Sequence, residues 1–116
     1  MSAKVLKISS SGRCELCEVE LDEDGGIPLE TLQEAVGGLI EHVNVPVGSG
    51  ALDMWINETG KLDGLGVNEI ATRLSGIWKW SDWIVGDAVV CAHTEYGESV
   101  GISPEDEDAL RKELSL

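Results

Sequence analysis

Phenylalanine is absent from this 116-residue chain, and only four Trp and one Tyr supply aromatic rings. Leu, Ile, Val and Ala must therefore fill most of any core, and each Trp is conspicuous. Basic residues are scarce as well: eight Lys and Arg stand against 22 Asp and Glu, a formal net charge of −14, with a sequence pI near 4.2. A field of that sign repels nucleic acid, anionic membranes and acidic substrates, and attracts basic surfaces. No run of about 18 apolar residues occurs, so no segment reads as a membrane span. The three cysteines, an odd number, argue against a disulfide framework. Met1–Val5 lacks the apolar stretch of a secretory leader. Together these absences predict a cytoplasmic protein with reduced thiols and no direct contact with nucleic acid or membrane.

What is present fits one domain spanning residues 1–116. Lys4 to Ile8 reads as a first strand, and Ser9-Ser10-Ser11-Gly12 as a turn. Cys14 to Leu21 alternates, with Cys17, Val19 and Leu21 on one face and Glu18 and Glu20 on the other, the pattern of a half-buried strand. Asp22-Glu23-Asp24-Gly25-Gly26 closes it as a solvated acidic loop. Leu29, Leu32 and Val36 share a helical face, with Pro28 in the first turn and Gly37-Gly38 as the stop. Leu39 to Val45 and Ala51 to Asn57 read as strands. Val67 to Leu74 reads as a helix ended by Gly76, and Ile84 to His93 as a central strand.

The last helix has clear signals. Ser103 caps it, Pro104 suits the first position and Asp106 stands where a capping box places an acid. Glu107 with Arg111, and Asp108 with Lys112, are pairs four residues apart. The order of elements predicts an α+β fold, a mainly antiparallel sheet with helices packed on one face.

Three stretches carry a resemblance. Leu29-Glu30-Thr31-Leu32-Gln33-Glu34-Ala35-Val36-Gly37-Gly38-Leu39-Ile40-Glu41 forms a helix-then-strand signature. Ile56-Asn57-Glu58-Thr59-Gly60-Lys61-Leu62 follows, with Leu65 and Asn68 beyond it. Ile84-Val85-Gly86-Asp87-Ala88-Val89-Val90 then precedes a turn and the Ser103-Pro104-Glu105 helix start. In this order they resemble the family called domain of unknown function 3846, from the first strand to the last helix. The resemblance implies a small domain common in phages, plasmids and their bacterial hosts, and it carries over no catalytic residue. Gly76-Ile77-Trp78-Lys79-Trp80-Ser81-Asp82-Trp83 is its least family-like part, and it holds three of the four Trp residues.

Chemistry-bearing patterns are few. Cys14-Glu15-Leu16-Cys17 has CxxC spacing, but strand residues three apart point to opposite faces, and a zinc site needs two further ligands. Cys91 and His93 share a strand face at about 6–7 Å, too far for a nucleophile–base hydrogen bond, and His42 reads as a partly buried strand residue. The 22–26 loop lacks the spacing of an EF-hand, and no GK[ST] follows the glycines of 60–66. No catalytic residue, metal ligand or cofactor site is therefore assigned.

Trp78, Trp80, Asp82 and Trp83 are the candidate partner-binding residues, because Trp is enriched at interface hot spots. An extended segment would place Trp78 and Trp80 on one face and Trp83 on the other. In a Phe-free chain the competing role for these rings is to plug the core. The expected function is a non-enzymatic accessory protein, phage- or plasmid-encoded, that binds a basic or nucleic-acid-handling host protein, as an inhibitor or by imitating the phosphate pattern of DNA. The alternative is a homo-oligomeric module whose acidity serves only solubility.

Overall fold

The computed structural model describes residues 1–116, and six strands and three helices follow one another along them. They are β1 (Ser2–Ile8), β2 (Cys14–Glu20), α1 (Leu29–Val36), β3 (Ile40–Val45), β4 (Leu52–Asn57), α2 (Glu69–Ser75), β5 (Ala88–His93), β6 (Ser99–Val100) and α3 (Pro104–Leu114). A one-turn 3-10 helix, Ile77–Trp80, follows α2. The strands form one sheet in the order β2-β1-β5-β4-β3, with β6 against the end of β5. Every pairing is antiparallel.

Position in the sheet follows from the sequence pattern. Strands covered on both faces need apolar residues at consecutive positions. β1 carries Val5-Leu6 and β5 carries Ala88-Val89-Val90-Cys91-Ala92, all buried. β2 alternates over Cys17–Glu20 and β3 is half polar, and both lie at sheet edges.

The helices occupy both faces, which corrects the expectation of a single covered face. On one side Leu6, Ile8, Met54, Ala88 and Val90 pack with Ala71 and Leu74 of α2 and Leu110 of α3. On the other, Val5, Val89 and Cys91 pack with Ile27 and with Leu32 and Val36 of α1. The reason lies in β1 and β5 themselves. Adjacent apolar residues point to opposite faces, so one helical layer leaves half of them wet. Each fully buried Leu or Val contributes roughly 1.5–3 kcal/mol, enough to recruit α1 to the second face.

Glycine ends α1 as expected: Gly37 is left-handed (φ 75°), and its N–H donates to the Gln33 carbonyl. The strand expected from Ile84 begins only at Ala88. Gly86 takes φ 77° and breaks the run; a Cβ there would lie 2.8 Å from Leu65 Cδ1. Val85 makes only an isolated bridge to Val67.

Asn68 binds this region together. It is fully buried (0 % exposed). Its Oδ1 caps α2 by accepting from Ala71 N–H at 3.0 Å. Its Nδ2 donates to the Ile8 and Gly86 carbonyls, both at 2.9 Å. Thr72 continues the network, donating to Asn68 O and accepting from Ile84 N–H. One amide thus ties the start of α2 to the end of β1 and to the turn before β5.

At α3, Ser103 Oγ accepts from Asp106 N–H as expected of a cap. The Asp106 carboxylate does not close a capping box. It is buried and accepts from Ser49 N–H at 2.8 Å and Ser49 Oγ at 2.9 Å, pinning the β3–β4 loop to the helix. Glu107 pairs with Arg111 and also with Lys4.

Candidate functional site

The tryptophan segment is a tight turn, not an extended strand. Gly76 ends α2 in the left-handed region, and the 3-10 helix begins at once. Ser81, itself left-handed at φ 59°, closes the turn by donating its N–H to the Trp78 carbonyl at 3.0 Å. Ile77 anchors the turn against the larger core. The three rings then point away from it: Trp78 is 54 % exposed, Trp80 83 % and Trp83 49 %. None plugs the core, because aliphatic side chains already fill it.

The turn separates the rings into different settings. Trp78 forms one wall of a groove of about 860 Å³, together with Pro46, Val47, Val67 and Leu74. Glu69, Arg73, Lys79 and Glu113 supply its charged lining. Trp83 lines a smaller cleft of about 120 Å³ with Leu62 and Ile77. Trp80 lines neither and is the most exposed of the three. Leu62 and Val67 are exposed, so apolar surface continues beyond the rings on both sides.

Asp82 organises the smaller cleft. Its Oδ1 accepts from Lys61 Nζ and from Trp83 N–H at 2.8 Å. The hydrogen bond from Lys61, and then the one from the Trp83 backbone, hold its carboxyl below the usual range. The same lysine sits 4.8 Å from the centre of the Trp83 ring, within cation–π range. Lys79 lies 5.8 Å from the centre of the Trp78 ring. Three of the chain's eight basic residues, Lys61, Arg73 and Lys79, thus line these two hollows. Charge beside the tryptophans is mixed, and much of the acidic excess lies elsewhere on the surface.

A second constellation emerges only from the sheet. Asp53 on β4 is 6 % exposed. Its Oδ1 lies 2.6 Å from His42 Nε2 on β3, and its Oδ2 lies 2.8 Å from His93 Nδ1 on β5. A carboxylate only accepts, so these ring nitrogens carry the protons, and each imidazole keeps its other nitrogen free when neutral. Trp55 stacks edge-on against His42, with ring centres 5.2 Å apart. Cys91, paired with Asp53 in register, is fully buried, and burial pushes its thiol up to about 11. That thiol stays protonated and is no nucleophile at neutral pH.

Sequence reasoning takes His42 and His93 separately and does not single out Asp53. They meet because β3, β4 and β5 are neighbours, and the signal that could have joined them is the strand order itself. Neither hollow beside the tryptophans includes these residues, so the cluster has no substrate cavity there. No group of three or more His, Cys, Asp or Glu has the geometry to hold a metal ion. Cys14 and Cys17 pack against opposite sides of the sheet, as their strand spacing requires.

The chain matches the family described as Domain of unknown function (DUF3846) over residues 3–115. It belongs to this family. No curated protein and no solved structure matches it. The DUF3846 match takes in the whole sheet from Ala3 and all three helices, the tryptophan turn included. No helix is long and apolar enough to cross a membrane.

Proposed function

We propose that this DUF3846 protein is a non-enzymatic accessory protein, phage- or plasmid-encoded, that binds a basic or nucleic-acid-handling host protein in the host cytoplasm, as an inhibitor or DNA mimic. The observation that carries the reading is the tryptophan turn. Three of the four Trp residues stand outside the core, flanked by a groove and a cleft that each have apolar walls. A large ring held on a short, closed turn buries much area at little entropic cost. The net charge of −14 supplies long-range steering toward a cationic partner, and the mixed charge beside the rings lets the contact itself close without expelling an acidic row.

The test is affinity capture from a bacterial host lysate at low salt, with elution at raised salt. The native chain should retain a basic protein that Trp80→Ala does not. Equal capture by both chains, or none at low salt, overturns the reading. Self-association through the same face is the competing reading, and a charge of −14 on each copy opposes it. Light scattering over a range of concentrations separates the two: a constant monomer mass supports a foreign partner.

A further inference from the structure

β2 ends the sheet, pairing only with β1. Its hydrogen-bond phase is set at both ends. Leu21 N–H donates to Met1 O, and Ser9 N–H donates to Arg13 O. The pairs that exchange hydrogen bonds are therefore Ala3 with Val19, Val5 with Cys17, and Lys7 with Glu15. The residues between them, Leu16, Glu18 and Glu20, turn their N–H and C=O groups away from β1. That row is a template for another strand.

The side chains along the row choose the occupant. Glu15 stands opposite Lys7 and Glu18 opposite Lys4, yet neither glutamate forms an ion pair. Lys4 Nζ reaches Glu107 instead, at 3.1 Å. Glu18 accepts only from Ser2 Oγ, at 3.3 Å. Glu20 meets the N-terminal amine at 3.8 Å, both groups well exposed. Asp22, Glu23 and Asp24 follow in a turn, where Asp22 Oδ1 accepts from Asp24 and Gly26 N–H and the carboxylates add to the local negative field. A second copy adding here would set glutamate beside glutamate, which is unfavourable between neighbouring strands. The other edge, β3, presents Ile40, His42 and Asn44 outward with a single carboxylate, Glu41, and His42 is held by Asp53.

We propose that the outer edge of β2 takes up an extended, lysine- or arginine-rich segment by antiparallel strand addition. The proposal rests on the reading that this chain binds a basic partner, but it uses a surface separate from the tryptophans. Glu18 and Glu20 lie on one face, about 6.8 Å apart, and Glu15 lies on the other. The added segment therefore carries cations at alternate positions facing Glu18 and Glu20. Main-chain hydrogen bonds to Leu16, Glu18 and Glu20 supply the register.

The probe is a nine-residue peptide of alternating Lys and Thr, compared with the same peptide N-methylated at alternate residues, which keeps its charge but cannot pair as a strand. Amide exchange of the full chain is followed by NMR at low salt. The unmodified peptide should slow exchange at Leu16, Glu18 and Glu20 at least tenfold, and the N-methylated one should not. Glu18→Pro removes an outward N–H that no ladder bond uses, and should weaken binding at least tenfold with the unfolding temperature retained. If that variant fails to fold, Glu18→Lys with Glu20→Lys serves in its place, and should abolish binding of the lysine peptide. Trp80→Ala should leave peptide binding unchanged. Equal binding of the N-methylated peptide, or protection along β3 instead of β2, overturns strand addition. Those results leave the tryptophan reading standing if the salt-released partner is still captured. Loss of that capture with peptide protection intact overturns only the tryptophan reading.

Discussion

Replacing Asn68 with Ala should remove more stability than replacing any exposed residue, although it deletes only an amide group. Asn68 Oδ1 caps α2, and losing a cap of this kind costs about 1 kcal/mol. Nδ2 holds the Ile8 and Gly86 carbonyls. Each buried carbonyl left without that donor costs about 1–3 kcal/mol, toward the lower end where a second partner remains. The sum is about 3–5 kcal/mol, a large part of the ~5–15 kcal/mol of a typical domain. For a chain of this size it corresponds to a fall in Tm of roughly 15 °C. Urea unfolding followed by circular dichroism measures it, with unchanged m showing that the folded state is retained.

Asn68→Asp sharpens the test. It keeps the cap oxygen but turns both donors into acceptors facing carbonyl oxygens. The carboxylate is then disfavoured in the fold, so its folded pKa rises above its unfolded value. Stability relative to the parent should therefore be better near pH 4 than at pH 7. A loss below about 1 kcal/mol for Asn68→Ala, or an Asn68→Asp variant indifferent to pH, would refute the argument that this amide is sealed from water.

Two further outcomes follow. Trp80→Ala should change stability by less than about 0.5 kcal/mol, whereas Leu110→Ala should cost about 2–5 kcal/mol; comparable losses in thermal melts would mean that the ring is part of the core. Burial raises the Cys91 thiol from 9.0 to about 11, so the unfolded chain ionises first. Stability present below pH 9 should fall as pH rises toward 11, by up to roughly 2–3 kcal/mol from two pKa units, and Cys91→Ala should remove this component. Parallel alkaline profiles for the two chains would exclude it.

Much of the local structure was legible because its causes are local. Leu29, Leu32 and Val36 with Gly37 specify α1 almost to the residue. The alternation of Cys17, Val19, Glu18 and Glu20 specifies a half-wet strand, and the structure places it at an edge. Ser103 and Pro104 specify the start of α3. Three features were not legible. The break at Gly86 is set by Leu65 packed against it, 21 residues earlier. Asp106 fits a capping box by spacing, but the nearby Ser49 captures its carboxylate. The tryptophan turn has no periodicity to read, and Gly76 and Ser81 close it through left-handed backbone that Ser rarely adopts. The candidate residues Trp78, Trp80, Asp82 and Trp83 could be named from the clustering of Trp along the sequence; that Trp78 lines one hollow, Asp82 and Trp83 the other, and Trp80 neither could not.

The amino-acid order by itself determined the charge, the kinds of element and the surplus of apolar residues in β1 and β5, because each depends on residues close together in the chain. Only the tertiary structure decided that helices cover both faces, that the tryptophans stand outside the core, and that Asp53 receives two histidines, one from the strand on each side. Those outcomes depend on strand order, and strand order is a competition among contacts distant in sequence.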